Sequence, residues 1–123
     1  MADNERARRG NEVRKRLFGG ASEPSETFKP IMDVSVEHLF GDIWTRPGLA
    51  LRDRSLITCA VLTALGREPQ LRVHLKGALN VGISREEILE MMVHLAHYSG
   101  WPTGISGTRV AEEVFLEVDE ASK

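Results

Sequence analysis

The chain has 123 residues, a formal net charge of −2, 41% hydrophobic and 28% charged residues, and one cysteine. Its length predicts a single domain, residues 1–123, and is too short for a TIM barrel or for a Rossmann domain joined to a second domain. The balanced charge argues against a nucleic-acid partner, and one cysteine excludes an internal disulfide and a Cys-based zinc site. No apolar run approaches the ~20 residues that span a membrane, and the first residues lack the apolar segment of a signal peptide. We therefore expect a cytoplasmic protein with no membrane partner.

The first two predicted helices lie in the N-terminal third of the chain. Residues 3–18 alternate charges around a thin apolar stripe, and Gly19 ends them, which predicts a leader helix within residues 1–20. A second helix is predicted over residues 31–44, where the helical core (31–118) begins, because apolar residues recur there at helical spacing. These apolar residues are Ile31, Met32, Val36, Leu39, Phe40, Ile43 and Trp44.

Pro47 and Gly48 separate that helix from three more, which have clear end signals. Asp53 is a candidate N-cap of the first of these, and Gly66 ends it. Pro69 suits the first turn of the second, which ends before Gly82. The first of the three is expected to bury one face, formed by Leu56, Ile57, Ala60, Val61 and Ala64.

The third of these helices begins at a capping box, Ser84–Glu87, and extends to about Tyr98. In a capping box the serine hydroxyl and the glutamate carboxylate each accept a hydrogen bond from a backbone amide. A break at residues 99–102 precedes a last helix, whose inward residues are predicted to be Ile105, Val110, Ala111, Val114, Phe115 and Val118. No segment alternates with period two, so the predicted fold class is all-α, a compact domain of about six to seven helices.

His74 is the first candidate for chemistry. Helical spacing places it near Gly77 and Ala78, on a face distinct from the leucine stripe of the same helix. Small residues one turn beyond an imidazole leave room for a ligand, and they equally let another helix approach closely. A catalytic imidazole and a hydrogen-bonded structural histidine both stay open at this point.

A second cluster is acidic and imidazole-rich and consists of Glu87, Glu90, His94 and His97. Their spacing of three or four residues suits a metal ion, and it equally suits a solvent-facing stripe with local ion pairs. Because no matching carboxylates stand on another helix, we expect no metal. Cys59 has no CxxC partner and no evident activating base, which indicates inert packing.

A third cluster is basic and aromatic and consists of Trp44, Arg46, Arg52 and Arg54. Guanidinium groups bind carboxylates bidentately, so arginines beside an indole suit a clamp for a carboxylated substrate. Surface ion pairs with Asp42 and Asp53 are the alternative interpretation.

Several stretches are together specific for one family. They read GDIWTRPGL (41–49) and RSLIT (54–58), then LRVHL (71–75) and ALNVGISREEI (78–88), then YSGWP (98–102), with GNEVRK (10–15) in the leader. Over almost the whole chain this pattern resembles the gamma-carboxymuconolactone decarboxylase family. Peroxidases of the wider alkylhydroperoxidase D-like superfamily carry a CxxC pair before the histidine. Arg67 and Gln70 occupy those positions here, which excludes their disulfide mechanism.

The resemblance implies a decarboxylation of gamma-carboxymuconolactone to beta-ketoadipate enol-lactone, in protocatechuate degradation. The substrate's conjugated lactone carbonyl accepts the electron pair left by carbon dioxide, so no cofactor is implied. The protein then supplies cations for the carboxylate that stays, a donor to the dienolate oxygen, and an acid that protonates carbon.

The resemblance also suggests roles for individual residues. We assign His74 as proton donor or dienolate stabiliser, and Tyr98 as an auxiliary hydroxyl donor. The predicted substrate-binding residues are Trp44 as an apolar wall, Arg46, Arg52 or Arg54 as carboxylate anchors, and Asn80. Which arginine reaches which carboxylate stays open. Gln70 stands where many relatives carry a glutamate, which leaves open whether Gln70 or Glu68 takes part.

The family further implies an alkylhydroperoxidase D-like fold that assembles into a ring, a homotrimer or homohexamer. Two other functions stay open from the sequence. One is a non-catalytic or ligand-binding member of the same superfamily, and the other is a related oxidoreductase of unknown substrate.

Overall fold

The computed structural model describes residues 2–20 and 23–123, and within these ranges every regular element is a helix. The elements are α1 (Ala2–Phe18), α2 (Lys29–Val34), a π-helix (Ser35–Ile43), α3 (Leu51–Leu65), α4 (Glu68–Asn80), α5 (Arg85–Ser99) and α6 (Trp101–Ala121). The predicted all-α class is confirmed. None of these helices combines the length and the apolar character needed to cross a membrane. The packing divides the chain into two compact units, one up to Leu51 and one from Arg52 to Lys123.

In the N-terminal unit, α1 packs against the π-helix through two glycines. A Cβ added to Gly10 would overlap the carbonyl oxygen of Val36, and one added to Gly41 would overlap the carbonyl oxygen of Arg6. Both obstacles are backbone atoms, which cannot rotate away as a side chain can. The close approach of the two backbones therefore requires glycine at both positions.

The helix predicted over residues 31–44 is divided, because the α-helix ends at Val34 and a π-helix continues to Ile43. The Trp44 amide donates to the Leu39 carbonyl, five residues back, at 2.9 Å, as in the wider π-helical turn. Apolar positions within so short a segment match either helical period, so the spacing did not distinguish the two.

Three aromatic rings pack against one another in the N-terminal unit. Phe40 packs 5.4 Å from Trp44, centroid to centroid, and Phe18 meets Phe40 edge-on at 6.0 Å. Phe40 and Trp44 are buried, whereas Ile31 and Leu39 of the same predicted stripe are exposed in the single chain. The apolar stripe of residues 31–44 thus reaches beyond the core of its own unit.

The C-terminal unit has an apolar core built by α3 to α6. Gly104 and Gly107 let α6 approach α5 closely, since a Cβ on Gly104 would lie 2.7 Å from the Ala96 Cβ. A Cβ on Gly107 would lie 2.6 Å from the Met92 sulfur. The buried members of this core are Cys59, Leu71, Leu75, Ala78, Ile83, Ile88, Met92, Val110, Ala111 and Val114.

The predicted inward face of α3 is wrong in part. The buried residues of α3 are Ser55, Cys59 and Thr63, whereas Ile57 and Val61 are each 49% exposed. Apolar residues lie on more than one side of this helix, so their spacing does not select the side that packs inward. The tertiary neighbours make that choice.

Two predicted helix boundaries also change. Asp53 is not an N-cap, because α3 begins at Leu51 and Asp53 lies in its first turn, where a carboxylate is favourable near the positive end of the helix dipole. The break predicted over residues 99–102 reduces to Gly100, whose φ of +109° suits glycine. Ile105, predicted to point inward, is half exposed.

Other boundaries are confirmed. Pro69 lies in the first turn of α4, and the Ser84 hydroxyl and Glu87 carboxylate form the predicted capping box at the start of α5. These signals work because each is satisfied by atoms a few residues apart.

Charged side chains of α4 and α5 pair with carboxylates of α6 along a surface that we call the α6 ion-pair seam. All of these side chains are partly exposed to solvent. The pairs are Arg72 with Glu113 and Glu117, Lys76 with Glu117 at 2.5 Å, and Arg85 with Asp119 at 2.6 Å.

Candidate active site

His74 lies in the middle of α4 and is half-buried. Its ring Nδ1 is shielded from solvent, and burial lowers the pKa of the imidazole below its ordinary value of 6.5. The ring is therefore neutral at pH 7, with one nitrogen that donates a hydrogen bond and one that accepts. Its partial exposure leaves part of the side chain within reach of a ligand.

The two small residues beyond His74 serve packing at least in part. Gly77 and Ala78 are both buried, and Ala78 belongs to the apolar core of the C-terminal unit. Of the two interpretations left open by the sequence, close approach of a neighbouring helix is the one that Ala78 supports.

Arg52 is engaged by a carboxylate on another helix. Its Nη2 lies 2.6 Å from both carboxylate oxygens of Glu87, and its Nη1 lies 3.8 Å from Asp53. The hydrogen bond from Arg52, together with that from the Ser84 amide, lowers the pKa of Glu87 to about 2. Arg52 therefore ties α3 to the capping box of α5, and its charge is already balanced.

Arg54 differs from Arg52 in its surroundings. It is half-buried near the start of α3, and its Nε is shielded from solvent. A guanidinium in such a place attracts a carboxylate more strongly than one in open water, because the local dielectric is lower. The positive end of the α3 dipole adds to this attraction. Of the two α3 arginines, Arg54 is the better candidate to anchor a carboxylate.

Tyr98 and Asn80 lie on the surface of the single chain. The Tyr98 side chain is 82% exposed, and its ring stacks on His94 with 5.1 Å between centroids. Asn80 is the last residue of α4 and is exposed. The predicted donor role of Tyr98 and the predicted substrate contact of Asn80 stay predictions.

Trp44 and Arg46 belong to the N-terminal unit. Trp44 is buried against Phe40, as an apolar wall would be, and Arg46 lies 3.3 Å from the carboxylate of Asp42. The ion pair predicted as the alternative for Arg46 is therefore present. The substrate roles of Trp44 and Arg46 stay predictions.

The acidic and imidazole cluster of α5 is used by local contacts. Glu87 binds Arg52 and the Ser84 amide, and the His97 ring donates from Nδ1 to the Val93 carbonyl at 2.8 Å. Within the described ranges, no three His, Cys, Asp or Glu side chains come together as a metal site would require. The contacts seen are those of the polar-stripe interpretation.

Cys59 packs in the core, as predicted. It is fully buried, and burial raises the pKa of its thiol to about 12. At neutral pH the side chain is a thiol and not the nucleophilic thiolate.

Comparison with known proteins identifies the family. The model of the carboxymuconolactone decarboxylase family matches residues 30–113. The chain is 35% identical to 4-carboxymuconolactone decarboxylase of Acinetobacter baylyi, over 96% of this chain and 92% of the relative. It is 33% identical to nitrosuccinic acid decarboxylase of Metarhizium robertsii, over 89% of this chain and 80% of the relative. It is also 33% identical to an uncharacterized 15.0 kDa protein of Paracoccus denitrificans, over 69% of this chain and 65% of the relative.

The matched segment contains most of the residues assembled above. It runs from the start of the predicted helical core into α6, and so includes α3, α4 and the whole of α5. The similarity is therefore carried by the same helices that hold His74 and Arg54. This all-α chain belongs to the carboxymuconolactone decarboxylase family.

Proposed function

We propose that the protein converts gamma-carboxymuconolactone to beta-ketoadipate enol-lactone and so serves protocatechuate degradation. The chain is a carboxy-lyase, since both relatives with a named activity are decarboxylases. The observation that carries the choice of substrate is 35% identity along 92% of a relative named for this lactone. The lowered pKa of His74 supports the chemistry.

The proposed reaction uses the substrate as its own electron acceptor. The bond between the ring carbon and its carboxylate breaks, carbon dioxide leaves, and the electron pair spreads into the conjugated lactone carbonyl. The dienolate then takes one proton on carbon from a solvent water, which leaves hydroxide to the bulk solvent. Negative charge moves from the departing carboxylate to the carbonyl oxygen of the lactone. The protein therefore accelerates the reaction by donating a hydrogen bond to that carbonyl oxygen.

A neutral His74 suits this movement of charge. Its N–H can donate a hydrogen bond to the carbonyl oxygen of the lactone, where negative charge develops. Because the ring is uncharged, it does not form an ion pair with the carboxylate that leaves. Catalysis requires such preference for the transition state over the bound substrate. Of the two roles open from the sequence, the lowered pKa favours the dienolate stabiliser over the proton donor.

Arg54 is proposed to hold the carboxylate that stays. Arg52 is proposed to act through Glu87 on the geometry of α3 and α5, because its guanidinium is already bound by that carboxylate. Trp44, Arg46, Asn80 and Tyr98 keep their proposed contacts with the substrate as set out from the sequence.

We also propose that the chain forms a ring, a homotrimer or homohexamer. Several large apolar side chains of α5 and α6 are exposed in the single chain, and burying them between subunits is favourable. They are Leu89, Val93, Tyr98, Trp101, Ile105 and Leu116. Light scattering coupled to size-exclusion chromatography should give a molar mass of three or six subunits. A single mass of 13.7 kDa would contradict the proposal.

The reaction is tested by incubating the purified protein with gamma-carboxymuconolactone. Without an added cofactor, we expect one molecule of carbon dioxide to be released for each lactone consumed. The proton NMR spectrum of the product should be that of the enol-lactone. His74→Ala provides the control for contaminating activity. Failure of the wild-type protein to release carbon dioxide would contradict the proposed function.

A second substrate deserves the same assay, because one relative is named for nitrosuccinic acid. A nitro group beside a carboxylate can also accept the electron pair that carbon dioxide leaves. Faster turnover of nitrosuccinate than of the lactone would keep the reaction class and replace the substrate.

A further inference from the structure

Helices α5 and α6 form a hairpin whose two helices run in opposite directions. Gly104 of α6 packs against Ala96 of α5, and Gly107, one turn later, packs against Met92, one turn earlier. Each helix turns about 100° per residue. In an antiparallel pair of right-handed helices, the residues that directly follow the contact residues therefore turn to the same side of the pair.

That side of the hairpin carries large apolar side chains from both helices, and we call it the α5–α6 face. Two of its members directly follow a contact residue, and the other two lie one helical turn before those. The Trp101 ring meets the His97 ring of α5 edge-on, with 5.7 Å between centroids, so the two helices do share this side. Each member is between 41% and 60% exposed, and the members are Leu89, Val93, Trp101 and Ile105.

The α5–α6 face has the size and the chemistry of the centre of a protein contact. Its four side chains expose roughly 400 Å² together, in the range where an apolar patch marks a site of interaction. A stable contact buries about 800 Å² on each partner, somewhat more than half of it apolar. The Thr108 hydroxyl on the same side donates to the Gly104 carbonyl at 2.8 Å, so covering it leaves no unpaired donor.

Exposed charges of opposite sign flank this face. Glu90 follows Leu89 and Arg109 follows Thr108, and a further step of about 100° turns each of them away from the other helix, to the outer edge of the hairpin. In the register set by the two glycines, Glu90 and Arg109 lie at nearly the same height along the hairpin. Neither forms an ion pair within residues 2–20 and 23–123.

We propose that the α5–α6 face pairs with the same face of a second copy of the chain, about a two-fold axis perpendicular to the face. Such a rotation exchanges the two edges of the hairpin, so Glu90 of each copy comes beside the Arg109 of the other copy. The apolar side chains then meet at the centre. An anionic membrane surface matches this face less well, because it would repel Glu90.

This inference rests on the proposed assembly for the presence of a second copy. It adds which surface is in contact, and it requires an even number of subunits, because a two-fold axis relates them in pairs. Of the two assemblies proposed above, it therefore selects the homohexamer.

The first test places a charge at the centre of the face. In Ile105→Arg the two-fold axis brings the substitution into each contact twice, and we expect the dissociation constant of the contact to rise about 100-fold or more. Ile57→Arg on α3 is the matched control, since the two isoleucines are 49% and 50% exposed. Light scattering should give six subunits for the wild type and for Ile57→Arg, and three for Ile105→Arg. Circular dichroism checks that each variant keeps its helices.

The second test exchanges the edge charges, and it decides the question should Ile105→Arg fail to fold. Arg109→Glu brings like charges together twice in each contact and should raise its dissociation constant about 10-fold. Adding Glu90→Arg restores opposite charges, so the double variant should return to within about threefold of the wild type. The two side chains occupy opposite edges of one hairpin, so this rescue requires a second copy. Sedimentation velocity over a dilution series measures all three proteins.

The outcomes separate this inference from the proposed function. A wild-type mass of three subunits would overturn the two-fold contact and leave the proposed ring and reaction in place, and a mass of one subunit would overturn it in favour of another partner for the face. A folded Ile105→Arg variant of wild-type mass, or an Arg109→Glu variant that Glu90→Arg does not rescue, would overturn it as well. A wild-type protein that shows both effects and does not decarboxylate the lactone would support the inference and contradict the proposed function.

Discussion

Two sets of polar side chains in the C-terminal unit differ in their surroundings. In the α6 ion-pair seam, Arg72 and its neighbours are partly exposed and lie beside opposite charges. Arg54, Ser55 and His74, which we call the buried polar group, are half-buried or fully buried, and burial lowers the pKa of His74. Exposed ion pairs stabilise a fold little, whereas shielding from solvent shifts the pKa of a group and strengthens its interaction with a nearby charge. We therefore expect substitutions in the seam to change stability slightly, and substitutions of Arg54 and His74 to change the proposed reaction.

The largest effect expected from this comparison is on turnover. His74→Ala should lower kcat by ~10²-fold or more, because it removes the donor to the developing charge. Steady-state rates of lactone consumption measure this loss. His97→Ala is the matched control, since His97 is an exposed histidine on α5, and its kcat should stay close to the wild-type value. Equal kcat values for both variants would remove His74 from the site.

The next effect separates the two arginines of α3. Arg54→Ala should raise KM by roughly 10- to 100-fold, as expected when a charge-assisted hydrogen bond to the substrate is lost. Arg52→Ala should raise KM less, because the Arg52 guanidinium binds Glu87 and not the substrate. Substrate saturation curves for the two variants give the comparison. A larger KM for Arg52→Ala would reverse the assignment.

A change in helix packing should affect stability and spare the chemistry. Gly104→Ala places a methyl group 2.7 Å from the Ala96 Cβ, and we expect it to lower the free energy of unfolding by ~1–3 kcal/mol. Gly48→Ala is the control, since no atom lies within 4 Å of its added Cβ. Urea unfolding measures both. An unchanged stability for Gly104→Ala would show that α5 and α6 are packed less closely than described.

The pH dependence of stability should carry the signature of His74. Its folded pKa lies below the unfolded value of about 6.5, so the unfolded chain binds the proton more readily. The stabilising contribution is therefore complete above pH 6.5 and declines as the pH falls through the folded pKa. Relative to His74→Gln, the wild-type protein should lose stability in urea unfolding as the pH falls below 6.5. Parallel pH profiles for the two proteins would contradict this assignment.

Glu87 provides an internal contrast to His74. Its pKa of about 2 lies below the ordinary 4.5, so its contribution is present above pH 4.5 and declines only as the pH falls towards 2. A loss of stability at pH values below 6.5 and above 4.5 is therefore not attributable to Glu87.

The smallest effect is expected in the α6 ion-pair seam. Arg72→Ala removes the partner of Glu113 and Glu117, yet exposed pairs contribute only ~0.2–1 kcal/mol. Both kcat and KM should stay at wild-type values, because the seam makes no contact with the ligand in this account. Unfolding curves and lactone kinetics on the same preparation measure the two quantities. A change in KM above about threefold would show that the seam affects substrate binding, which would contradict the distinction between the seam and the buried polar group.

Local chemistry explains what could be predicted of the fold. The ends of α1, α4 and α5 follow from Gly19, Pro69 and the capping box, since each signal acts within a few residues. The π-helix and the inward face of α3 could not be predicted in this way. They are associated with contacts between distant segments, such as Gly10 against Val36, which leave no local period in the sequence.

The sequence identified candidate site residues by residue type and by position along the chain, but it could not show which of them are buried. His74 was a candidate because the small residues one turn beyond its imidazole leave room for a ligand. The arginines were candidates because Arg46, Arg52 and Arg54 lie close together in the sequence, beside Trp44. The burial of Ser55 could not be predicted, since a serine within a helix is ordinary. Only the structure shows that its hydroxyl is buried without the usual bond to the preceding turn.

The most direct test of the central claim is release of carbon dioxide from two lactones that differ in one double bond. If the substrate's own conjugation receives the electron pair, the wild-type protein releases carbon dioxide from gamma-carboxymuconolactone and none from its reduced form, although it binds both. Release of carbon dioxide from the reduced lactone at a comparable rate would contradict the account, because the electron pair would then need an acceptor outside the substrate.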